Sequence, residues 1–99
     1  MGTPMYMAPE LAGGADRAGP AAEVFSFGVL AFELLADRHP YDAPPIRAIL
    51  DGRTPEPAAL RELRPELPAA VCELVASCLA ISPDARPTAP ALVAALARA

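Results

Sequence analysis

The sequence is 99 residues long and has a mass of 10.2 kDa, which is enough for one small domain with one modest core. Its net charge is −4 and its pI is about 4.8, which argues against binding to nucleic acid or to an anionic membrane. The 13 prolines exclude a single long helix, and the two cysteines are too few for a disulfide scaffold. The N-terminus shows no signal peptide, and no apolar run reaches the ~20 residues of a membrane span. We therefore expect a cytoplasmic protein.

The N-terminal part, residues 1–19, is predicted to be extended or turn, with one helical turn near residues 9–11, because two prolines precede a stretch rich in Gly and Ala. A helix is predicted from Ala21 to Ala36, and Pro20 suits its first turn. Apolar side chains occupy nearly every angle around this helix, which is typical of a central helix enclosed on most sides. Gly28 in its middle costs about 1 kcal/mol relative to Ala. This cost predicts that a neighbouring backbone comes close at Gly28.

Shorter helices and loops are predicted in the rest of the chain. Residues 46–50 form a short helix ended by Gly52, and residues 55–68 form a connector. Residues 71–79 have the clearest helical periodicity, with apolar side chains at i, i+3, i+4, i+7 and i+8. Thr88 is a candidate N-cap for a last helix. No segment alternates as a strand does, so we predict an all-α fold of four to five short helices around the central apolar helix.

The residues with reactive side chains give little sign of catalysis. Cys72 and Cys78 are six positions apart on one predicted helix, which places them on different faces and beyond bridging distance. We interpret both as packing thiols. The single histidine, His39, stands beside Pro40 in a loop and has no obvious partner for a metal site or a catalytic dyad.

Three segments of the sequence are more specific to a protein family than the helical periodicity is. They are GTPMYMAPE at residues 2–10, EVFSFGV at residues 23–29, and CL followed by PDARPT at residues 78–88. In this order and spacing they closely resemble the C-terminal half of the larger lobe of the protein kinase family, and the resemblance covers essentially the whole chain. The Gly-Thr-Pro-x-Tyr pattern before Met-Ala-Pro-Glu resembles the serine/threonine branch. The Ala- and Arg-rich composition suits a bacterial member.

The resemblance implies a role for several residues. It assigns substrate binding to four adjacent residues, which are Thr3, Pro4, Met5 and Tyr6. It implies a buried ion pair between Glu10 and Arg86 that ties the first segment to the last helices. It also places Glu23 where the family usually has an Asp that anchors the catalytic loop, and the longer Glu side chain would require that loop to shift.

The groups that phosphoryl transfer requires are not found in these 99 residues. The sequence has no Gly-rich loop, no lysine, no His-Arg-Asp and no Asp-Phe-Gly. We therefore expect a truncated kinase domain, with the end of the activation segment in residues 1–19 and the helical part in residues 20–99. We expect no catalytic residue, metal ion or cofactor in this chain, whereas ATP and Mg²⁺ would serve the intact parent kinase.

Two kinds of function remain open. In the first, the chain is a fragment of a serine/threonine kinase, inactive alone, whose partners are a protein substrate or the missing remainder of the kinase domain. In the second, it is a non-catalytic protein-binding module, a pseudokinase-like remnant. Because the helix over residues 21–36 is apolar all round, one flank is left exposed in so short a chain, and self-association through this helix is expected.

Overall fold

The computed structural model describes residues 4–98, and this part of the chain consists of helices, 3-10 turns and loops without a strand. The predicted all-α class is therefore confirmed. Five α-helices follow one another, each identified by its bounds. They are α1 (Pro20–Ala36), α2 (Pro45–Leu50), α3 (Leu60–Leu63), α4 (Ala69–Cys78) and α5 (Ala89–Arg98). None of the helices in residues 4–98 has the length and apolar content that crossing a membrane requires.

Residues 4–17 form three 3-10 turns, at Pro4–Tyr6, Pro9–Gly13 and Ala15–Arg17, and the second contains the helical turn predicted near residues 9–11. Prolines begin the first two turns, where the fixed φ of proline suits helical backbone and its missing N–H would be unpaired. Pro9–Gly13 packs against α2, so the start of the chain folds onto the helices.

The central helix α1 begins at Pro20 and ends at Ala36, and the next residue, Asp37, adopts a left-handed conformation with φ 59°. The Asp37 N–H donates to the Glu33 carbonyl at 2.9 Å and closes the last turn. The helix packs against α4, and its buried side chains lie at the centre of the core, together with side chains of α3, α4 and the loops. The larger cluster includes Phe25, Val29 and Phe32 of α1, and a smaller cluster joins α1 to α5.

Gly28 lies where α1 meets the C-terminal end of α4. A Cβ atom at Gly28 would stand 2.7 Å from Cys78 Cβ and 3.1 Å from Leu79 Cδ2. The close neighbour is therefore a pair of side chains, not the backbone that the sequence predicted. Cys72 and Cys78 are both free thiols buried in the core, and burial raises the pKa of the Cys78 thiol.

The opposite face of α1 is open to solvent. Phe27, Leu30 and Leu34 are spaced i, i+3 and i+7, and they are 39%, 49% and 78% exposed. These three residues are here called the open face, and Phe25, Val29 and Phe32 the enclosed face. The helix is apolar on both faces, but the described chain covers only one of them.

Two elements refine the predicted boundaries. The connector over residues 55–68 contains one helical turn, α3, whose Leu60 is buried in the larger cluster. At the start of α5, the Thr88 hydroxyl accepts a hydrogen bond from the Ala91 N–H at 3.2 Å, as an N-cap does.

Candidate functional site

The candidate docking segment, defined here as residues 4–6, is the turn that the resemblance assigns to substrate binding. Pro4 is exposed, whereas Met5 and Tyr6 are half-buried against α1 and the loop that follows it. Thr3, the fourth residue of this assignment, lies outside the described residues. The segment is short and has few internal hydrogen bonds, so side chains from elsewhere in the fold must hold it in place.

Tyr6 is held at two points by α1. Its hydroxyl donates a hydrogen bond to Glu33 Oε1 at 2.5 Å, and its carbonyl accepts one from the Ser26 hydroxyl at 2.7 Å. The hydrogen bond to Glu33 raises the pKa of the Tyr6 phenol, and desolvation and the negative charge of Glu33 add to this effect. Tyr6 therefore remains a neutral donor, and its ring is fixed at the surface of the helix.

His39 holds the residue beside Tyr6. Its Nε2 atom lies 3.0 Å from the Met5 carbonyl oxygen, and its Nδ1 atom accepts a hydrogen bond from the Tyr41 N–H at 3.1 Å. The imidazole also meets the Tyr6 ring edge-on, with the ring centroids 5.6 Å apart. The loop after α1 thus contacts the docking segment through one side chain.

A groove of about 460 Å³ lies beside the docking segment and is mostly apolar. It is lined by Tyr6, Met7, Leu11, Ala15, Ala18, Gly19, Ala22, Glu23, Ser26 and Ile46. Glu23, the predicted anchor position for a catalytic loop, is solvent-exposed and is the one carboxylate of this lining. Such a surface can receive an apolar side chain of an extended peptide next to a negative charge.

Glu10 and Arg86 are brought together by the fold although they are 76 positions apart. The guanidinium donates two parallel hydrogen bonds to the carboxylate, Nη2 to Oε1 at 2.7 Å and Nη1 to Oε2 at 2.8 Å. Arg86 also donates to the carbonyls of Ala21 at 2.9 Å and Ala80 at 2.8 Å, and it lies over the Phe25 ring at 4.9 Å. These contacts satisfy a fully buried guanidinium, so the pair connects the 3-10 turn Pro9–Gly13 to α1 and to the segment that precedes α5.

The ion pair controls the protonation of Glu10. Burial acts to raise the pKa of its carboxyl, but the hydrogen bonds from Arg86 and from the Glu10 backbone, together with the charge of Arg86, outweigh burial. The net result is a pKa below the ordinary value, so the carboxylate stays ionised in the folded protein.

Tyr41 is buried on the other side of Phe25, and the two rings stack with centroids 6.1 Å apart. Its hydroxyl is buried and has no hydrogen-bond partner among residues 4–98. Burial raises the pKa of this phenol strongly, although the positive charge of Arg86 acts against the rise. The hydroxyl is thus a polar group inside the core without compensation.

Within residues 4–98, no three side chains among His, Cys, Asp and Glu cluster as metal ligands would. Sequence reasoning missed Ser26, Glu33 and His39, which hold the docking segment. Their separations from it, from 20 to 34 positions, leave no local pattern, and only the polar residues on an otherwise apolar helix gave a signal.

Comparison with known proteins defines the class. The family model described as protein kinase domain matches residues 1–96, and the chain therefore belongs to the protein kinase family. This agrees with the helical fold and with the bidentate Glu10–Arg86 pair at the positions that the resemblance indicated.

Among the relatives are three bacterial kinases. The chain is 38% identical over 96 residues to the probable serine/threonine-protein kinase PkwA of Thermomonospora curvata, a match covering 97% of this chain and 12% of that protein. The serine/threonine-protein kinase PknA of Mycobacterium tuberculosis is 36% identical over 86 residues, covering 87% and 19%. The tyrosine-protein kinase MasK of Myxococcus xanthus is 38% identical over 99 residues, covering 93% and 14%. The chain thus spans less than a fifth of each of these relatives.

Proposed function

We propose that this chain forms the substrate-docking side and structural base of a serine/threonine protein kinase, whose intact domain transfers the γ-phosphate of ATP to a protein hydroxyl. The observation that supports it best is the anchored docking segment, in which Ser26, Glu33 and His39 hold Met5 and Tyr6. The serine/threonine specificity is supported by the GTPMYMAPE sequence and by PkwA and PknA. The relationship to MasK makes tyrosine specificity the competing assignment.

ATP and Mg²⁺ would be bound by other parts of such a domain. Phosphate binding in kinases needs a Gly-rich loop and a Lys, and metal binding needs an Asp and an Asn, all at defined places. The 99 residues contain neither lysine nor asparagine. We therefore propose that the chain is inactive alone and contributes only substrate contacts and scaffold.

Calorimetry with Mg-ATP tests the first part of this proposal. We expect no saturable binding at micromolar concentration, and clear saturation would overturn the assignment of ATP binding to other parts of the domain.

The sequence of the gene upstream of the Met1 codon tests whether the chain is part of a kinase domain. In-frame codons for His-Arg-Asp and Asp-Phe-Gly would support the kinase, whereas a promoter and ribosome-binding site at Met1 would support a separate module.

A second candidate is a non-catalytic protein-binding module, which the open face of α1 favours. Leaving large apolar side chains in water forgoes about 1.5–3 kcal/mol each, so covering Phe27, Leu30 and Leu34 would be strongly favourable. Self-association through this face is the simplest form of such a function. Sedimentation of the Leu30→Ser/Leu34→Ser variant tests it, with Val93→Ser on α5 as the control, because Val93 is also exposed. A concentration-dependent oligomer that only the α1 variant abolishes would support this candidate.

A further inference from the structure

The His39 side chain has two separate hydrogen-bonding tasks. At Nε2 it meets the carbonyl oxygen of Met5, in the docking segment. At Nδ1 it meets the N–H of Tyr41, two residues further along its own loop, with the Tyr41 carbonyl oxygen 3.0 Å away. One ring therefore joins the loop after α1 to a segment 34 positions earlier in the chain.

The partners fix where the proton of the ring lies. A carbonyl oxygen can only accept, so Nε2 must carry a hydrogen and donate to Met5. A backbone N–H can only donate, so Nδ1 of the neutral ring must accept from Tyr41.

The hydrogen bond to Met5 completes the fixation of the docking segment. Ser26 and Glu33 hold the carbonyl and the side chain of Tyr6, and His39 holds the carbonyl that precedes it. The turn itself is closed by one longer bond, from the Met7 N–H to the Pro4 carbonyl at 3.2 Å. With consecutive carbonyls held, rotation of the peptide plane between Met5 and Tyr6 would break a hydrogen bond, so the backbone from which the Met5 side chain projects is held in place.

We propose that His39 is a positioning residue of the docking segment, which it orients through the Nε2 hydrogen bond to the Met5 carbonyl. The proposal rests on the proposed function, in which the docking segment would contact the substrate residue that follows the phosphoacceptor. His39 acts on that substrate only through Met5. Its effect is therefore on peptide affinity and selectivity, not on phosphoryl transfer.

Two substitutions separate the two tasks of the ring. The amide nitrogen of Gln lies the same number of bonds from Cα as Nε2 of His, so His39→Gln keeps a donor for Met5. The side-chain oxygen of Asn corresponds to Nδ1, so His39→Asn keeps an acceptor for the Tyr41 N–H and loses the donor for Met5. Arg38→Gln, at the exposed neighbouring position, is the control.

Amide hydrogen exchange of the full chain is the first measurement. In His39→Asn we expect exchange of the Met7 N–H to rise about tenfold, because the turn loses its anchor. In His39→Gln the Met7 N–H should stay protected while the Tyr41 N–H exchanges faster. If His39 served only its own loop, His39→Asn would leave both the Met7 and the Tyr41 amides protected, and the proposal would be wrong. Should His39→Asn not fold, His39→Phe provides the comparison, since it lacks both nitrogens and keeps an aromatic edge for Tyr6.

Peptide titration followed by NMR is the second measurement. The probe is a serine peptide with leucine after the serine, and we expect His39→Asn to weaken its binding about tenfold and His39→Gln to restore it. Unchanged affinity in His39→Asn, despite faster exchange at Met7, would overturn the positioning role. Absence of peptide binding by the unmodified chain would count against the proposed function instead, and the exchange pattern would still decide the role of His39.

Discussion

The enclosed and open faces of α1 consist of the same kinds of side chain and have opposite surroundings. Phe25, Val29 and Phe32 are buried against α4, Tyr41 and the Arg86 guanidinium, whereas Phe27, Leu30 and Leu34 face solvent. Hydrophobicity alone therefore does not determine which face of this helix becomes core. The two faces differ in exposure because α4 and the turn at Pro83–Ala85, which is followed by Arg86, cover the enclosed face and leave the open face uncovered.

The largest expected effect on the enclosed face comes from removing its buried cation. Arg86→Ala should lower the free energy of unfolding by about 3–5 kcal/mol, because it leaves the Glu10 carboxylate without its partner. Arg47→Ala is the matched control. Arg47 is 67% exposed and pairs with Asp51 at 3.4 Å, so its loss should change stability by no more than about 0.5 kcal/mol. Urea unfolding of both variants measures the difference, and equal losses would contradict this ranking.

One alanine substitution on each face of α1 compares the two faces directly. Phe32→Ala removes a fully buried ring and should cost about 3–5 kcal/mol. Leu34→Ala, two residues along on the open face, should change stability by less than about 0.5 kcal/mol. Thermal unfolding under identical conditions compares them. A large loss in Leu34→Ala would show that the open face is covered in solution.

The close contact between α1 and α4 gives a smaller effect. Gly28→Ala places a Cβ atom 2.7 Å from Cys78 Cβ, and we expect a loss of about 1–3 kcal/mol from the displaced helices. In Gly13→Ala the new Cβ would meet the Arg17 side chain at an ordinary 3.7 Å. That control should be nearly neutral in urea unfolding. If Gly28→Ala were stabilising, helix propensity would outweigh packing at this contact.

Acid should weaken the enclosed face through Glu10. Because the pKa of Glu10 is lower in the folded chain than its ordinary 4.5, the unfolded chain takes up its proton first as the pH falls. This contribution to stability is present above pH 4.5 and is lost as the pH drops through the lowered pKa. Unfolding measured across this range should be less pH-dependent in Glu10→Gln than in the exposed control Glu56→Gln. Identical profiles would contradict the role of the pair.

The smallest expected effect is a gain in stability, whereas the preceding substitutions lower it. Tyr41→Phe removes a buried hydroxyl that has no partner in residues 4–98, so it should stabilise the chain by about 1 kcal/mol. Tyr6→Phe removes a hydroxyl that is bonded to Glu33 and should destabilise by about the same amount. Calorimetric melting of the two variants tests this pair, and a loss of stability in Tyr41→Phe would show that a water molecule or another group satisfies the hydroxyl.

The sequence predicted the helices well where periodicity is long. The predicted helix at 21–36 is α1, and the one at 71–79 is α4 shifted by two residues at its start. The single turn α3 was missed because four residues between prolines are too few to show a period. The 3-10 turns at Pro4–Tyr6 and Ala15–Arg17 were not located for the same reason, whereas the turn at Pro9–Gly13 contains the helical turn expected near residues 9–11.

Contacts between residues far apart in the sequence could not be predicted from local sequence patterns. The meeting of Glu10 and Arg86 came from family resemblance, since nothing in the local sequence relates two residues 76 positions apart. The roles of Ser26, Glu33 and His39 could not be predicted, because each depends on how α1 and its following loop are placed beside the docking segment. Likewise, the all-round apolar sequence of α1 predicted an exposed flank but did not specify which residues would form it.

The Glu10–Arg86 pair has a consequence for the order of folding. Closing a loop between residues 76 positions apart is entropically costly, whereas the turns of α1 and α4 form from neighbours in the chain. We therefore expect the two charges to meet only after the helices between them have formed and docked. A contact that forms so late contributes little to the rate of folding and much to the barrier against unfolding. We expect the pair to affect how long the native structure persists more than how quickly it is reached.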